Sequence, residues 1–278
     1  MHRGACKTMS DRIPKRIIQI WAGGGEMPLL YKAACANVRL LNPSFEYVLF
    51  DDQRMHDFMQ QHFPEHIATL AAYKRPIQRY DFFRYLAVFK LGGFYFDTDL
   101  LLAKGLDDLC RHSCVVPFER LTWSDHLRDK LNMDWEVGNY GFGAEPGHPL
   151  IGALIDNCAR AQRDTAWCAL PLNGLPQLLR RELDVIYSTG PGMFSRTLAE
   201  FKRSADSVTV LGNGDRSDKA TWNQFGHYGV HLGGSSWRER HGGIRRRLIN
   251  LLAQRNEARA IALARGRAHL TSVRHAST

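Results

Sequence analysis

Two aspartates separated by a threonine, Asp97 and Asp99, are the residues of this sequence best suited to chemistry. They follow directly on the apolar segment 91–96, LGGFYF. Carboxylate oxygens are preferred ligands of hard divalent cations, which complete their coordination with water and substrate phosphate oxygens. In an extended segment, residues i and i+2 project to the same side, so the two carboxylates are predicted to converge. Such triplets also occur in ordinary surface turns, so the surrounding residues must show whether this one is a metal site.

The residues before the acidic pair predict a helix that carries a second charged pair. Apolar residues recur at helical spacing over 77–90, with no proline or glycine inside. Asp81 and Arg84 are three residues apart and therefore share one face of this helix. Two interpretations of this pair are open: it binds a substrate, or it is an ordinary surface ion pair. Glycines at 92–93 end the helix, and a short aromatic strand then delivers Asp97 at its carboxyl end, where ligands gather in open α/β sheets.

Length and composition limit the class of protein. The chain has 278 residues, 44% of them hydrophobic, which is enough for one large core. No segment approaches the about 18 apolar residues of a membrane span, and residues 1–11 lack the apolar stretch of a secretory signal. We therefore expect a cytoplasmic protein. Of six scattered cysteines only Cys110 and Cys114 lie close together, and no second ligand pair follows that would favour a zinc site.

The positive charge is concentrated at the C-terminal end. Residues 238–278 contain ten arginines and two glutamates, a net +8 of the formal +9. Ile244, Leu248, Leu251 and Leu252 form an apolar stripe among these arginines. A basic amphipathic helix of this kind either binds an anionic membrane surface or packs its stripe on the core, and we weigh the two equally. The arginines lack interleaved aromatic residues, so no nucleic acid is expected as a partner.

The other segments alternate between strand and helix signals. We predict strands at 16–21, 45–50, 94–96, 114–118, 139–144 and 208–211, and helices at 28–41, 54–62, 64–73, 148–163, 174–181 and 192–203. This alternation predicts an α/β sandwich with a largely parallel sheet. The predicted boundaries are an N-terminal extension at 1–12, a globular domain at 13–237 and a basic helical tail at 238–278.

Several of these segments resemble glycosyltransferase family 32. The resemblance is carried by IPK at 13–15, QIW at 19–21, NP at 42–43, FEY at 45–47, DD at 51–52, and by RYD, RY and LGGFYFDTD within 79–99. It covers about residues 13–109 and returns at 139, 147–149, 189–192, 231 and 236–237. The family contains Och1-like mannosyltransferases and many bacterial polysaccharide enzymes, and the glucosylating clostridial toxins share a related arrangement.

The resemblance implies a GT-A-type α/β fold, with a Rossmann-like mixed sheet flanked by helices. It implies a retaining hexosyltransferase that depends on Mn²⁺ or Mg²⁺ and uses a UDP- or GDP-linked sugar as donor. The acceptor is expected to be a glycan or lipid-linked precursor in polysaccharide biosynthesis. With the basic tail, this suggests a peripheral position on the inner face of the cytoplasmic membrane.

The resemblance also implies the roles of individual residues. Asp97 and Asp99 would bind the metal together with His231. The catalytic set would be Asp81, Arg84, Asp97 and Asp99. The donor would be bound by Trp21 at the base, by Trp237 over the diphosphate, and around the sugar by Asp81, Arg84, Tyr95, Asp97 and Asn139.

General chemistry supports this interpretation. Departure of a nucleoside diphosphate develops negative charge that a bound cation stabilises. No carboxylate stands out as a covalent nucleophile, so we expect attack on the same face as departure. The alternatives are a non-catalytic nucleotide-sugar or glycan-binding module, a toxin-like protein glycosyltransferase, and a basic lipid- or nucleic-acid-binding protein.

Overall fold

The computed structural model describes residues 11–122, 124–173, 177–201, 207–212 and 215–233, together with residues 258, 261, 262 and 265; for 177–182 it describes the backbone alone. The strands of these residues are β1 (Arg16–Ile20), β2 (Glu46–Phe50), β3 (Gly93–Phe96), β4 (Leu100–Leu102), β5 (Cys114–Leu121), β6 (Trp135–Val137), β7 (Gly141–Ala144), β8 (Thr209–Leu211) and β9 (Gly229–His231). The helices are α1 (Leu29–Leu41), α2 (Asp52–His62), α3 (Ile67–Ala72), α4 (Pro76–Leu91), α5 (Asp125–Leu131), α6 (Pro149–Arg163), α7 (Thr165–Ala169), α8 (Gln177–Ser188) and α9 (Pro191–Glu200).

Seven of these strands form one mixed sheet. Its order is β2-β1-β3-β7-β5-β6, with β8 beside β5. β1 is parallel to β2 and β3, and β8 is parallel to β5, whereas β6 and β7 are antiparallel to their neighbours. The α/β class with a mixed sheet flanked by helices is thus confirmed. The expectation of a largely parallel sheet is wrong for the second half, because the chain turns back at the end of β5, where Leu121 pairs with Trp135.

Both faces of the sheet are covered. Alternate residues of β1 and β3 face opposite sides, as the pleat requires: Ile18 and Tyr95 face one hydrophobic cluster, and Ile17 and Phe94 face the other. The first cluster contains buried residues of α2, α4, α6 and α9, and the second contains Val38 of α1. The α4 helix is the central one of the first layer, with nine of its sixteen residues buried.

A separate two-stranded sheet lies beside the main one. β4 pairs antiparallel with β9, which lies in the glycine-rich stretch, and Leu100 is opposite His231. Neither strand was predicted, and neither were β6, α5 or α7. The helix expected at 174–181 is α8, which extends to Ser188, and the strand expected at 114–118 extends to Leu121.

Few tail residues are described, and two of them contact the globular part. Ile261 packs against the cluster of Phe118, Leu121 and Trp222, and Nε of Arg265 donates a hydrogen bond to Oγ of Ser217. The apolar stripe at 244–252 lies outside the described residues. The predicted domain boundaries stay predictions. Within the described part of the chain, no helix is both long enough and apolar enough to cross a membrane.

The cysteines occupy apolar surroundings. Cys110 and Cys114 are both buried, but they belong to the clusters on opposite faces of the sheet. Burial raises the pKa of both thiols, that of Cys110 to about 12. The two side chains therefore pack into separate hydrophobic clusters.

Candidate active site

The helix α4 and the strand β3 are joined by two glycines that the packing requires. Pro76 occupies the first turn of α4, where its missing N–H costs no helical hydrogen bond. Gly92 has φ 63°, and a Cβ there would lie 2.6 Å from the ring of Pro146. Gly93 has φ 108°, and a Cβ there would lie 2.6 Å from the carbonyl oxygen of Arg16. Only glycine allows this left-handed turn to set β3 directly against β1.

Asp81 and Arg84 form a buried ion pair. Nη2 of Arg84 lies 2.9 Å from Oδ1 of Asp81, and the two side chains are 4% and 5% exposed. Nη1 of Arg84 also donates to Oδ1 of Asp97 at 3.0 Å and to the carbonyl oxygen of Asn139 at 2.9 Å. The interpretation as a surface ion pair is therefore wrong, because this face of α4 packs inside the molecule. Arg84 connects the helix to the acidic pair.

Asp81 accepts two further hydrogen bonds. Nδ2 of Asn139 donates to its Oδ1 at 3.0 Å, and Oγ1 of Thr189 donates to its Oδ2 at 3.1 Å. The hydroxyl of Tyr85 supports both partners, since it lies 3.2 Å from Nδ2 of Asn139 and donates to the carbonyl oxygen of Thr189. Burial raises the pKa of the Asp81 carboxyl to about 7, although the charge of Arg84 opposes the shift.

Tyr95 and Arg84 both bind one oxygen of Asp97. The hydroxyl of Tyr95 donates to Oδ1 of Asp97 at 2.7 Å, and the guanidinium of Arg84 lies over the Tyr95 ring at 4.6 Å. The Asp97 side chain is 27% exposed, whereas Nε of Arg84 is buried and has no hydrogen-bond partner among the described residues. These contacts fix the orientation of the Asp97 carboxylate.

The structure brings Asp97, Asp99 and His231 together. One potential ligand atom from each lies within 4.8 Å of the others. Asp97 and Asp99 converge through a turn, in which the N–H of Leu100 donates to the carbonyl oxygen of Asp97, and not through the extended alternation expected from sequence. Two carboxylates and an imidazole can bind a divalent cation, and their spacing fits a single ion.

His231 reaches the acidic pair through the pairing of β9 with β4. It lies opposite Leu100, and the N–H of Leu232 donates to the carbonyl oxygen of Asp99 at 3.0 Å. Nε2 of His231 is 3.2 Å from Oδ1 of Asp99. Burial lowers the pKa of His231, but the hydrogen bond to Asp99 and the charge of Asp97 outweigh it, so the pKa is raised.

Of the two tryptophans predicted to bind the nucleotide-sugar donor, the structure describes only Trp21. Trp21 lies just after β1, half-buried, with its indole N–H donating to the carbonyl oxygen of Gly25 at 2.8 Å and its ring 5.7 Å from that of Tyr31. Asp97 follows β3, which is parallel to β1, so Trp21 and Asp97 both lie at the carboxyl-end edge of the sheet. Trp237 lies outside the described residues. The assigned roles of all these residues stay predictions.

Sequence reasoning did not assign three residues that contact the site. Thr189 binds Asp81, Tyr140 stacks on His231, and Gln19 donates to the carbonyl oxygen of Asp97 at 3.3 Å. Thr189 and Gln19 lie in segments that carry the family resemblance, which is the signal that could have found them. Nothing in the local pattern marks Tyr140.

Comparison with known proteins identifies the same region. Residues 30–116 match the model of the family described as "Glycosyltransferase sugar-binding region containing DXD motif". This part of the chain is therefore similar to the sugar-binding region of DXD-type glycosyltransferases. The match includes α4, β3 and both aspartates, whereas Asn139, Thr189 and His231 lie beyond it.

Several curated relatives carry the names of mannosyltransferases. Inositol phosphoceramide mannosyltransferase 3 of Schizosaccharomyces pombe is 27% identical over 198 residues, which is 71% of this chain and 48% of that protein. Mannosyl phosphorylinositol ceramide synthase SUR1 of Saccharomyces cerevisiae is 32% identical over 139 residues, 50% of this chain and 33% of that protein. The chain thus matches about half or less of their length. Among solved structures, the PaToxG glycosyltransferase has 16% identity and a TM-score of 0.44, and covers 68% of this chain and 70% of that one.

Proposed function

We propose that this protein is a metal-dependent, retaining glycosyltransferase that moves a hexose from a nucleotide-diphosphate sugar to a glycan or glycolipid acceptor. The observation that carries the proposal is the position of Asp97 between two groups of residues. Its carboxylate belongs to the Asp97, Asp99 and His231 cluster, and it also accepts from Arg84, which binds Asp81. The residues suited to a metal and those suited to sugar hydroxyls are therefore in direct contact.

Each group has a separate task. Mn²⁺ or Mg²⁺, when bound by Asp97, Asp99 and His231, would supply the Lewis acid that stabilises charge on the departing diphosphate. Arg84 and Tyr95 hold the Asp97 carboxylate in place before the donor arrives. Asp81 is an acceptor for sugar hydroxyls, and Asn139 holds its orientation. No described residue acts in this scheme as a covalent nucleophile, and we propose that the acceptor attacks on the face from which the diphosphate departs.

The names of the relatives suggest which substrates to test. One is named as a mannosyltransferase of inositol phosphoceramide, and another as a synthase of mannosyl phosphorylinositol ceramide. We propose mannose as the first donor sugar to examine and a lipid-linked polyol as the first acceptor. A cytoplasmic location, peripheral on the inner face of the membrane, is proposed from the charge of residues 238–278 alone.

The test is release of nucleoside diphosphate from a panel of UDP- and GDP-sugars, with Mn²⁺ or with EDTA. We expect release from one donor, abolished by EDTA and lowered about 1000-fold by Asp99→Asn. Asp57→Asn is the matched control, because Asp57 lies on α2, is exposed, and accepts a hydrogen bond from the side chain of Gln53. If no donor is turned over and no nucleotide raises the melting temperature in Mn²⁺, the transferase proposal is wrong.

A further inference from the structure

Tyr140 contacts two of the three candidate metal ligands. It lies in the short connection between β6 and β7 and is 3% exposed. Its carbonyl oxygen accepts the N–H of Asp97 at 2.7 Å. Its ring lies parallel to the imidazole of His231, with centroids 4.4 Å apart and planes 9° apart. Its hydroxyl donates to the carbonyl oxygen of Gln224 at 3.1 Å, on the segment that leads into β9.

We propose that Tyr140 is a positioning residue of the metal site, which it serves by fixing the plane of the His231 ring. A metal-binding histidine is usually oriented by a hydrogen bond from its second ring nitrogen to a carboxylate or carbonyl. Nε2 of His231 faces Asp99, and among the described residues no hydrogen bond is made by Nδ1. The rotation of the imidazole about its bond to Cβ is therefore limited by the face of Tyr140.

The same residue links His231 to the acidic pair. The carbonyl oxygen of Tyr140 holds the start of the turn that carries Asp97, while its ring holds His231. β9 is only three residues long, and so contributes few ladder hydrogen bonds of its own. Stacking and a backbone hydrogen bond from one buried residue thus help the pairing of β4 with β9 to hold together ligands that are far apart in the sequence.

The inference rests on the proposed metal site but not on turnover, so it is tested with Mn²⁺ alone. The dissociation constant of Mn²⁺ is measured by electron paramagnetic resonance on the full chain. Tyr140→Phe keeps the ring face and is expected to bind Mn²⁺ within about two-fold of the wild type. Tyr140→Leu removes the face and is expected to weaken binding about ten-fold, the size of a lost aromatic contact. Tyr228→Leu is the matched control, since the ring of Tyr228 packs against Phe225 and its hydroxyl donates to Asp108.

A double-mutant cycle separates positioning from general packing. If Tyr140 acts through the imidazole, Tyr140→Leu causes no further loss of Mn²⁺ affinity once His231→Ala is present. An equal loss in both backgrounds would overturn the proposal, as would unchanged affinity in Tyr140→Leu or no measurable Mn²⁺ binding by the wild type. Melting in EDTA verifies that each variant folds, and Tyr140→Met, which fills similar volume without a ring, replaces a leucine variant that does not. Absent turnover with normal Mn²⁺ binding would count against the transferase proposal alone.

Discussion

Two Arg–carboxylate pairs have similar contact distances but different surroundings. Arg84 lies 2.9 Å from Asp81, and Arg120 donates through Nε and Nη2 to Oε2 of Glu136 at 3.1 and 3.0 Å. Both oxygens of Asp81 accept further hydrogen bonds, and Arg84 also binds Asp97. In the second pair, Oε1 of Glu136 is buried and has no hydrogen-bond partner among the described residues.

The difference in exposure explains what each pair can do. Arg84 is 4% exposed, so its charge depends entirely on its partners, whereas Arg120 is 31% exposed and water solvates part of its guanidinium. The first pair joins α4 to the acidic turn. The second joins β5 to β6 beside an irregularity in their register. The Arg84 pair therefore stabilises the candidate site, whereas the Arg120 pair stabilises the contact between two strands.

Replacing Arg84 by lysine should have the largest effect. The compact ammonium of a lysine lacks the planar fork by which the two terminal nitrogens of Arg84 reach Asp81, Asp97 and the carbonyl oxygen of Asn139. We expect donor turnover to fall about 1000-fold and the free energy of unfolding to fall by about 3 kcal/mol, measured by diphosphate release and urea unfolding. Arg120→Lys is the matched control and should leave turnover within about two-fold. Equal losses of turnover in both variants would remove the distinction between the pairs.

Asp81→Asn should lower donor turnover about 100-fold and change how stability depends on pH. The pKa of Asp81 is raised in the folded protein to about 7, from 3.8. A raised carboxyl pKa contributes stability below pH 3.8 that is lost as the pH rises through 7. The wild type should therefore lose free energy of unfolding relative to Asp81→Asn between pH 5 and pH 8. Urea unfolding at both values measures this, and a constant difference between the two proteins would contradict it.

Thr189→Val should have a smaller effect on the first pair. It removes one hydrogen bond to a buried carboxylate, which is worth about 1.5–3 kcal/mol. We expect the free energy of unfolding to fall by about 2 kcal/mol and turnover to fall about ten-fold, because Asp81 is less firmly held. Thr197→Val is the control: the Thr197 hydroxyl donates to the carbonyl oxygen of Met193 and accepts from Nδ2 of Asn157. A loss of turnover in the control as large as in Thr189→Val would mean that the effect is one of general stability.

Glu136→Gln should have the smallest effect. The amide retains one hydrogen bond to Arg120, whose charge is partly solvated, so we expect a loss of about 1 kcal/mol in the free energy of unfolding. Donor turnover should stay within about two-fold of the wild type. A ten-fold loss of turnover at nearly unchanged stability would show that the second pair also belongs to the site.

The sequence predicted the part of the site that local patterns determine. The helix α4, the glycine turn and the strand β3 follow from spacing and composition, and they place Asp81, Arg84, Asp97 and Asp99. The position of His231 followed from resemblance alone, because β4 and β9 are three residues long and carry no detectable alternation. Their pairing depends on chain contacts that no local pattern reports.

The second half of the fold was harder to predict for the same physical reason. The antiparallel order of β5, β6 and β7 and the contact between Arg120 and Glu136 arise from pairing, not from propensity. The sequence pattern allowed Asp81 and Arg84 to be a surface ion pair, but the packing around α4 buries both side chains. Tyr140 gave no signal because an aromatic residue between two short strands is typical of ordinary packing.

The pairing of β4 with β9 also has a consequence for the order of events during synthesis. His231 follows Asp99 by 132 residues, so it leaves the ribosome long after the acidic turn. At about 5–20 residues per second, this delay lasts roughly 7 to 26 seconds. During that time a nascent chain can form α4 and β3, but of the three candidate metal ligands it contains only the two aspartates. The complete ligand set therefore cannot exist until almost the whole globular part has been translated.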